Sequence, residues 1–71
     1  MKLNGFIEPE CEHFRKVCNF TDDERAVFDL RVRGKTEVEI YIALQDTCHA
    51  MSIATIERRL SSIKKKIIRV L

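Results

Sequence analysis

The sequence predicts an all-α protein, built as a small helical bundle of three to four helices. Apolar residues between positions 52 and 71 recur at alternating steps of three and four, which is the period of one face of an α-helix. Two capping-box sequences, TDDE at Thr21 and TEVE at Thr36, mark the starts of two further helices. No segment shows the period-two alternation of apolar and polar residues that is typical of a strand.

The first helix is predicted over about residues 9–18, after a loosely packed lead-in at residues 1–8. Pro9 suits the first turn of a helix, where its missing N–H leaves no hydrogen bond unmade. The acidic residues around it suit the positive end of the helix dipole. Asn19 can end this helix in a left-handed conformation. The predicted apolar side comprises Phe14, Val17 and Cys18.

The second helix is predicted over about residues 21–33. In its capping box, the Thr21 hydroxyl and the carboxylate of the glutamate three residues later satisfy each other's backbone N–H groups. An ion pair is expected between Asp29 and Arg33, which are four residues apart in the order that favours pairing. Gly34 ends the helix. The predicted core residues are Val27, Phe28 and Leu30.

The third helix is predicted over about residues 36–48 and repeats the capping box with Thr36 and Glu39. Its predicted buried stripe comprises Ile40, Ala43, Leu44 and Cys48. The connection from this helix to the next one indicates a helix-turn-helix. The predicted division of the chain is an N-terminal extension with a short helix at residues 1–19, followed by a helix-turn-helix domain at residues 20–71.

The fourth helix is predicted over about residues 52–69, with Ser52 as its N-cap. Its apolar stripe comprises Ile53, Ile56, Leu60, Ile63, Ile67 and Val70. The opposite face comprises Ala54, Arg58, Ser61 and Lys65, flanked by Thr55, Ser62 and Arg69. One face of this helix is therefore suited to a protein core, and the other is suited to a polyanion.

Positive charge is concentrated on this last helix. The formal net charge of the chain is only +2, but residues 51–71 carry +5, residues 21–50 carry −3 and residues 1–20 are neutral. A basic helix on a neutral-to-acidic domain predicts a nucleic-acid partner. A lysine run is also typical of a solvated face, and the apolar stripe is also typical of a short coiled-coil dimer, so both alternatives stay open.

Length and composition indicate one soluble globular domain. A chain of 71 residues buries only about 60% of its unfolded surface, so modest stability is expected. The hydrophobic fraction of 45% and the charged fraction of 34% are typical of a folded protein. No apolar run approaches the roughly 20 residues of a membrane helix, and the N-terminus lacks a signal-like core. We therefore expect no membrane association and a cytoplasmic location.

Neither an enzyme nor a cofactor is predicted. The sequence lacks a glycine-rich phosphate loop, a Ser/His/Asp arrangement and a carboxylate pair outside the helix starts. The three cysteines are expected to be reduced thiols. Zinc binding by Cys11, His13, Cys18, Cys48 and His49 is the alternative, but their spacings match no usual paired knuckle, so no metal site is predicted.

The N-terminal half of the fourth helix is the predicted reading element. Small residues there let the helix enter a major groove about 12 Å wide, where Arg58 can bond guanine O6 and N7 and the Thr55 methyl can contact a thymine methyl. The lysines at 64–66 and Arg69 are better suited to phosphates. The predicted DNA-binding residues are Ser52, Ala54, Thr55, Arg58, Arg59, Ser61, Ser62, Lys65 and Arg69.

Two segments, FTDDERAVFDLRVRGKTEVEI and MSIATIERRLSSIKKKI, resemble a known motif. It is the helix-turn-helix of LuxR-type regulators and of the promoter-reading C-terminal domain of sigma-70-type factors. The shared pattern is an L-T-x-x-E-R-x-V helix, a Gly-(Ser/Thr) break, an E-I-A-x-x-L helix and an S-x-x-T-V recognition helix. The matching residues are Phe20, Thr21, Glu24, Arg25, Val27, Gly34, Thr36, Glu39, Ile40, Leu44, Ser52, Thr55 and Ile56. The resemblance covers about residues 20–67, and the T-I-x-x-R-L run is closer to the sigma-type pattern.

The resemblance implies sequence-specific binding of double-stranded DNA in transcription, with Ser52 and Thr55 at the DNA and Arg58 and Arg59 close to bases or phosphates. The alternative is a protein-interaction module of the same fold, whose basic helix docks on RNA polymerase or another regulator. Because one module binds weakly, a homodimer that reads half-sites about 34 Å apart is also expected to raise affinity. The N-terminal segment, with Phe6, Ile7 and Phe14, is a candidate dimer surface, and covering the core is its alternative role.

Three features depart from the family pattern. Removing Asp46–Ala50 (DTCHA) restores the family spacing, so either the third helix runs a turn longer or the turn is an enlarged loop. Glu57 stands where these families often place a lysine, which weakens the local attraction to phosphate. The sequence ends after the recognition helix, so the additional dimerisation helix of LuxR-type regulators is not expected in this chain.

Overall fold

The computed structural model describes residues 3–71, apart from the Asn4 side chain, and confirms the all-α prediction. A 3-10 turn at Leu3–Gly5 precedes four helices: α1 at Glu8–Val17, α2 at Asp22–Arg31, α3 at Glu37–Leu44 and α4 at Ile53–Val70. The long helix α4 packs against both α2 and α3, and the 3-10 turn packs against α2. Within residues 3–71, no helix has both the length and the apolar character needed to span a membrane.

Helix α4 supplies the largest share of the core. Its buried residues are Ile56, Leu60, Ile63 and Ile67, which meet Val27 and Phe28 of α2 and Ile40 and Leu44 of α3 in one cluster. The prediction that Ile53 and Val70 belong to this buried stripe is wrong, because both are exposed. Helix α4 is about 27 Å long and α2 is about 15 Å long, so α2 cannot cover both ends of α4. Val70 instead lines an open groove with Pro9 and Phe14 of α1. Leu30, also predicted as core, is partly buried at the edge of the cluster.

The predicted starts of α2, α3 and α4 are confirmed. The Thr21 hydroxyl accepts a hydrogen bond from the Glu24 N–H at 3.2 Å, and the Glu24 carboxylate accepts one from the Thr21 N–H at 2.9 Å. The capping box at Thr36 has the same two bonds, and Ser52 caps α4. Asn19 and Gly34 both adopt positive φ, as expected of residues that end helices.

The N-terminal region is better packed than predicted. Met1 and Lys2 lie outside the described residues, but Leu3 is buried against α2 instead of belonging to a loose lead-in. Helix α1 begins at Glu8, with Pro9 in its first turn as predicted. Its apolar side consists of Cys11, Phe14 and the adjacent Cys18, whereas Val17 is exposed. Residues of the predicted N-terminal extension therefore pack into the same core as the rest of the chain.

Helix α2 ends at Arg31, two residues earlier than predicted, and this changes its ion pairs. Arg33 lies in the turn beyond the helix, where the four-residue helical spacing from Asp29 no longer applies. The expected Asp29–Arg33 pair is therefore wrong. Asp29 instead accepts a hydrogen bond from Arg15 Nε at 2.8 Å, which joins α2 to α1.

Helix α3 ends at Leu44, four residues earlier than predicted. The Thr47 hydroxyl donates to the Leu44 carbonyl at 2.8 Å and accepts from the His49 N–H at 3.1 Å, so it replaces helical bonds with a local turn. Ala43 and Cys48, both predicted to be buried, are exposed. The eight-residue connection between α3 and α4 is therefore an enlarged loop, longer than the usual three- to four-residue turn.

Candidate nucleic-acid interface

The polar residues of α4 divide into two groups that face different surroundings. Arg59, Ser62 and Lys66 follow one another at steps of three and four and face the first turn of α2. We call these three residues the seam. Ala54, Arg58, Ser61 and Lys65 follow one another at steps of four, three and four and are exposed. We call these four residues the open strip.

The open strip is a continuous solvent-exposed surface that carries two basic residues, Arg58 and Lys65. Arg58 and Lys65 are seven residues apart, which corresponds to about 10.5 Å along the helix axis. Arg69 is also exposed and continues the charge by one turn. Among residues 3–71, none of these three bases lies within ion-pair distance of a carboxylate. Glu57 is exposed beside Arg58 and is the single acid of the helix.

The start of α4 is fixed by its own hydroxyl groups. The Ser52 hydroxyl accepts from the Thr55 N–H at 3.2 Å, and the two hydroxyl oxygens are 3.0 Å apart. Ser52 is exposed and Thr55 is half-buried. Because these hydroxyls bond locally, they define the geometry of the helix end that leads into the open strip.

The seam is organised by Glu24, which is 3% exposed. Ser62 Oγ donates to Glu24 Oε2 at 2.6 Å, and Lys66 Nζ donates to Glu24 Oε1 at 2.5 Å. The Thr21 N–H donates to the same Oε1 atom at 2.9 Å. One buried carboxylate therefore satisfies the start of α2 and binds two residues of α4 that lie one turn apart.

These contacts hold Glu24 in its ionised form. Burial is the largest single influence on this carboxyl group and opposes its ionisation. Hydrogen bonds from Lys66, Ser62 and the Thr21 N–H act in the opposite direction and together outweigh burial, so the pKa of Glu24 falls from 4.5 to about 2. Near neutral pH, the Lys66 charge is therefore already neutralised within the protein.

The neighbouring acid, Asp23, joins the α3–α4 loop to the same region. Its Oδ1 atom lies 2.9 Å from His49 Nδ1, and its Oδ2 atom lies 4.0 Å from a terminal guanidinium nitrogen of Arg59. The Arg59 Nε atom is buried, with no hydrogen-bond partner among residues 3–71. Asp23 and Glu24 thus hold the loop and the three seam residues against one end of α2.

The structure brings together five of the nine predicted DNA-binding residues on one exposed side of α4: Ala54, Arg58, Ser61, Lys65 and Arg69. Arg59 and Ser62 instead face α2. Lys66, which was predicted to bind a phosphate, pairs with the Glu24 carboxylate. The second role of Glu24, as the partner of Ser62 and Lys66, was not predicted from the sequence. The signal was present, because Glu24 lies three residues before Val27 and four before Phe28, on the buried side of α2.

The cysteines and histidines do not assemble into a metal centre in the described part of the chain. Among residues 3–71, no group of three or more His, Cys, Asp or Glu side chains is placed to hold a metal ion. Cys11 and Cys18 are buried, and this burial raises the pKa of both thiols. Cys48 is exposed in the α3–α4 loop.

Comparison with known proteins identifies no relative of this chain. No protein-family model, curated protein or solved structure matches the chain.

Proposed function

We propose that this protein binds double-stranded DNA with sequence specificity, through α4, and that it regulates transcription in the cytoplasm. One observation carries the proposal. Arg58, Lys65 and Arg69 are exposed on one side of α4 without a carboxylate partner among residues 3–71, whereas bases on the seam side have acidic partners. A protein surface that leaves aligned cations unneutralised is suited to an external polyanion.

The shape of the open strip supports a groove-binding role. Ala54 and Ser61 are small, so the helix backbone on either side of Arg58 can approach base edges closely. A helix with its side chains is about 10–12 Å in diameter, which matches a major groove about 12 Å wide. In this arrangement, Arg58 reads a guanine through O6 and N7. Lys65 and Arg69 bind phosphates further along the groove.

The seam residues have a supporting role in this proposal. Arg59 and Ser62 contact α2 and hold α4 in one rotational setting, so that Arg58 points outward. Ser52 and Thr55 fix the helix end that enters the groove. The resemblance to LuxR-type and sigma-type modules supports the same orientation, although the eight-residue loop departs from their spacing.

The charge of the strip sets the expected salt dependence. Three cationic contacts predict that the logarithm of the binding constant falls with the logarithm of salt concentration, with a slope of about −3. A single small module should therefore bind weakly at physiological salt. A slope close to zero would contradict DNA binding through these three side chains.

The decisive experiment has two stages. Bound duplexes are first selected from a random pool, and an enriched sequence is expected. The affinity of the wild-type chain for that duplex is then compared with an Arg58→Ala/Lys65→Ala variant by fluorescence anisotropy at one fixed salt concentration. The double variant should lose at least about tenfold in affinity.

The matched control is Arg33→Ala, which removes an exposed base outside α4 and should change the affinity by less than about twofold. Circular dichroism checks that all variants remain folded. If no duplex is enriched, or if the double variant binds as tightly as wild type, the proposal fails. A chain that then binds RNA polymerase through the open strip would be an interaction module.

A further inference from the structure

Helix α3 carries an exposed apolar surface bordered by acids. Val38 is 54% exposed and Ile42 is 66% exposed, and their four-residue spacing places them on one face of the helix. Glu39 lies three residues before Ile42 on α3, and the exposed Asp46 lies in the turn two residues beyond the end of the helix. We call these four residues the acidic apolar face.

The carboxylates of this face are available to a partner. A hydrogen bond from the Thr36 N–H lowers the pKa of Glu39, which therefore stays ionised. Neither Glu39 nor Asp46 lies within ion-pair distance of a base among residues 3–71. Neither α3 nor Asp46 contributes a lysine or arginine, so both charged residues of this face are acidic. Lys35, which precedes α3, also lowers the pKa of Glu39 but lies beyond ion-pair distance.

The second half of α4 carries a surface of the opposite charge. Ile68 is 61% exposed, with Lys64 four residues before it and Lys65 three residues before it. In the described chain, neither lysine has a carboxylate within ion-pair distance. We call Ile68, Lys64 and Lys65 the basic apolar end.

We propose that the acidic apolar face of one copy of this chain docks on the basic apolar end of a second copy. In this contact, the exposed side chains of Ile42 and Ile68 bury each other. The two acids beside Ile42 meet the two lysines beside Ile68. Pairing of two identical faces is disfavoured, because it would place acid against acid or base against base. Each contact therefore joins unlike surfaces, the acidic apolar face of one copy and the basic apolar end of the other.

The two surfaces lie on different helices, so after one contact each copy has one surface free and the pair has one of each kind. These free surfaces either meet each other, which closes the pair into a two-fold dimer, or bind further copies, which builds rings or chains of subunits. Each side contributes little more than one helix face, so the area lies below the roughly 1,200 Å² of standard interfaces. We expect weak association, with a dissociation constant on the order of 100 μM or higher that increases with salt concentration.

The proposal does not depend on DNA binding, and it is tested without nucleic acid. Sedimentation velocity of the wild-type chain up to about 1 mM should show a mass that increases with concentration. Ile42→Lys places a base on the acidic apolar face, opposite the lysines of a partner, and so abolishes that surface. Ile68→Asp places an acid on the basic apolar end and abolishes that surface in the same way. Each variant alone should remain monomeric because one of its two docking surfaces is lost.

Mixing the two variants gives the specific readout. Ile42→Lys retains an intact basic end, and Ile68→Asp retains an intact acidic face, so the mixture should form heterodimers and no larger species. The conservative variants Ile42→Val and Ile68→Val should associate as wild type does. Both isoleucines are exposed, so the fold should survive, and circular dichroism verifies this.

Three outcomes would overturn the proposal. The first is a wild-type chain that stays monomeric over the whole concentration range. The second is a mixture of Ile42→Lys and Ile68→Asp that remains monomeric. The third is continued association of Ile68→Asp alone, which would show that α3 pairs with α3.

Discussion

Glu24 and Lys66 form an ion pair at 2.5 Å that joins the first turn of α2 to the second half of α4. The two partners differ in exposure, because Glu24 is buried whereas the Lys66 side chain is partly solvent-accessible. Loss of the lysine leaves a buried carboxylate without its cation. Loss of the carboxylate charge leaves an ammonium group that can turn toward water. Removing the lysine and removing the carboxylate charge should therefore lower stability by different amounts.

Lys66→Met should lower the free energy of unfolding by about 3 kcal/mol, because it leaves the buried charge unpaired. Glu24→Gln should cost less, about 2 kcal/mol, since the amide still accepts hydrogen bonds and Lys66 regains solvent. Urea denaturation monitored by circular dichroism measures both changes. Lys65→Met is the matched control on the open strip and should be close to neutral. Equal losses at positions 65 and 66 would contradict the assignment of Lys66 to the seam.

The low pKa of Glu24 also predicts how stability depends on pH. The pKa is about 2 in the folded chain and near 4.5 when the chain is unfolded, so the folded form favours the carboxylate. The stabilisation is fully present above about pH 4.5 and is lost as the pH falls through about 2. The difference in unfolding free energy between wild type and Glu24→Gln should shrink over that window. A difference that is constant from about pH 5 to pH 2 would contradict the shift.

The Thr47 hydroxyl sets the conformation of the α3–α4 loop. Thr47→Val keeps the shape of the side chain but removes its hydrogen bonds to the Leu44 carbonyl and the His49 N–H. We expect a loss of about 1 kcal/mol and faster amide hydrogen exchange at residues 45–50. Thr47→Ser retains the hydroxyl and serves as the control. Unchanged exchange in Thr47→Val would show that another contact holds the loop.

Arg58 and Arg59 are adjacent in sequence but should differ in their effect on DNA. Arg58 lies on the open strip, whereas Arg59 faces Asp23. Arg58→Ala should lower affinity by about five- to 100-fold and relax the preference at one base position. Arg59→Ala should lower affinity less and leave the base preference unchanged. Binding assays with single-base variants of the selected duplex distinguish the two, and a shift in base preference in Arg59→Ala would reverse the assignment.

Local signals made the helix starts predictable from the sequence. In the capping boxes at Thr21 and Thr36, both partners lie within one turn, so three-residue spacing is sufficient to identify them. The helix ends were harder to predict. Thr47 competes for the carbonyl that would continue α3, and no apolar periodicity reports that competition.

Burial at the ends of α4 depends on how far the neighbouring helices extend, which the sequence does not show. Ile53 and Val70 fit the apolar period of the helix, but the shorter α2 and α3 cannot cover both of them. The same limit applies to the candidate site. Periodicity predicts that Arg58 and Lys65 face outward. It does not predict the seam, because the seam depends on Glu24, which lies 38 residues before Ser62 in the sequence.

Glu24 Oε1 accepts hydrogen bonds from the Thr21 N–H and from Lys66 Nζ at the same time. Helix ends normally fray independently of the rest of a protein, because few contacts hold them. Here, unwinding of the first turn of α2 also removes the carboxylate partner of Lys66 on α4. Opening of this turn is therefore coupled to the packing of α4, so the capping-box amide hydrogens of Thr21 and Glu24 should exchange more slowly than those of an unsupported helix end.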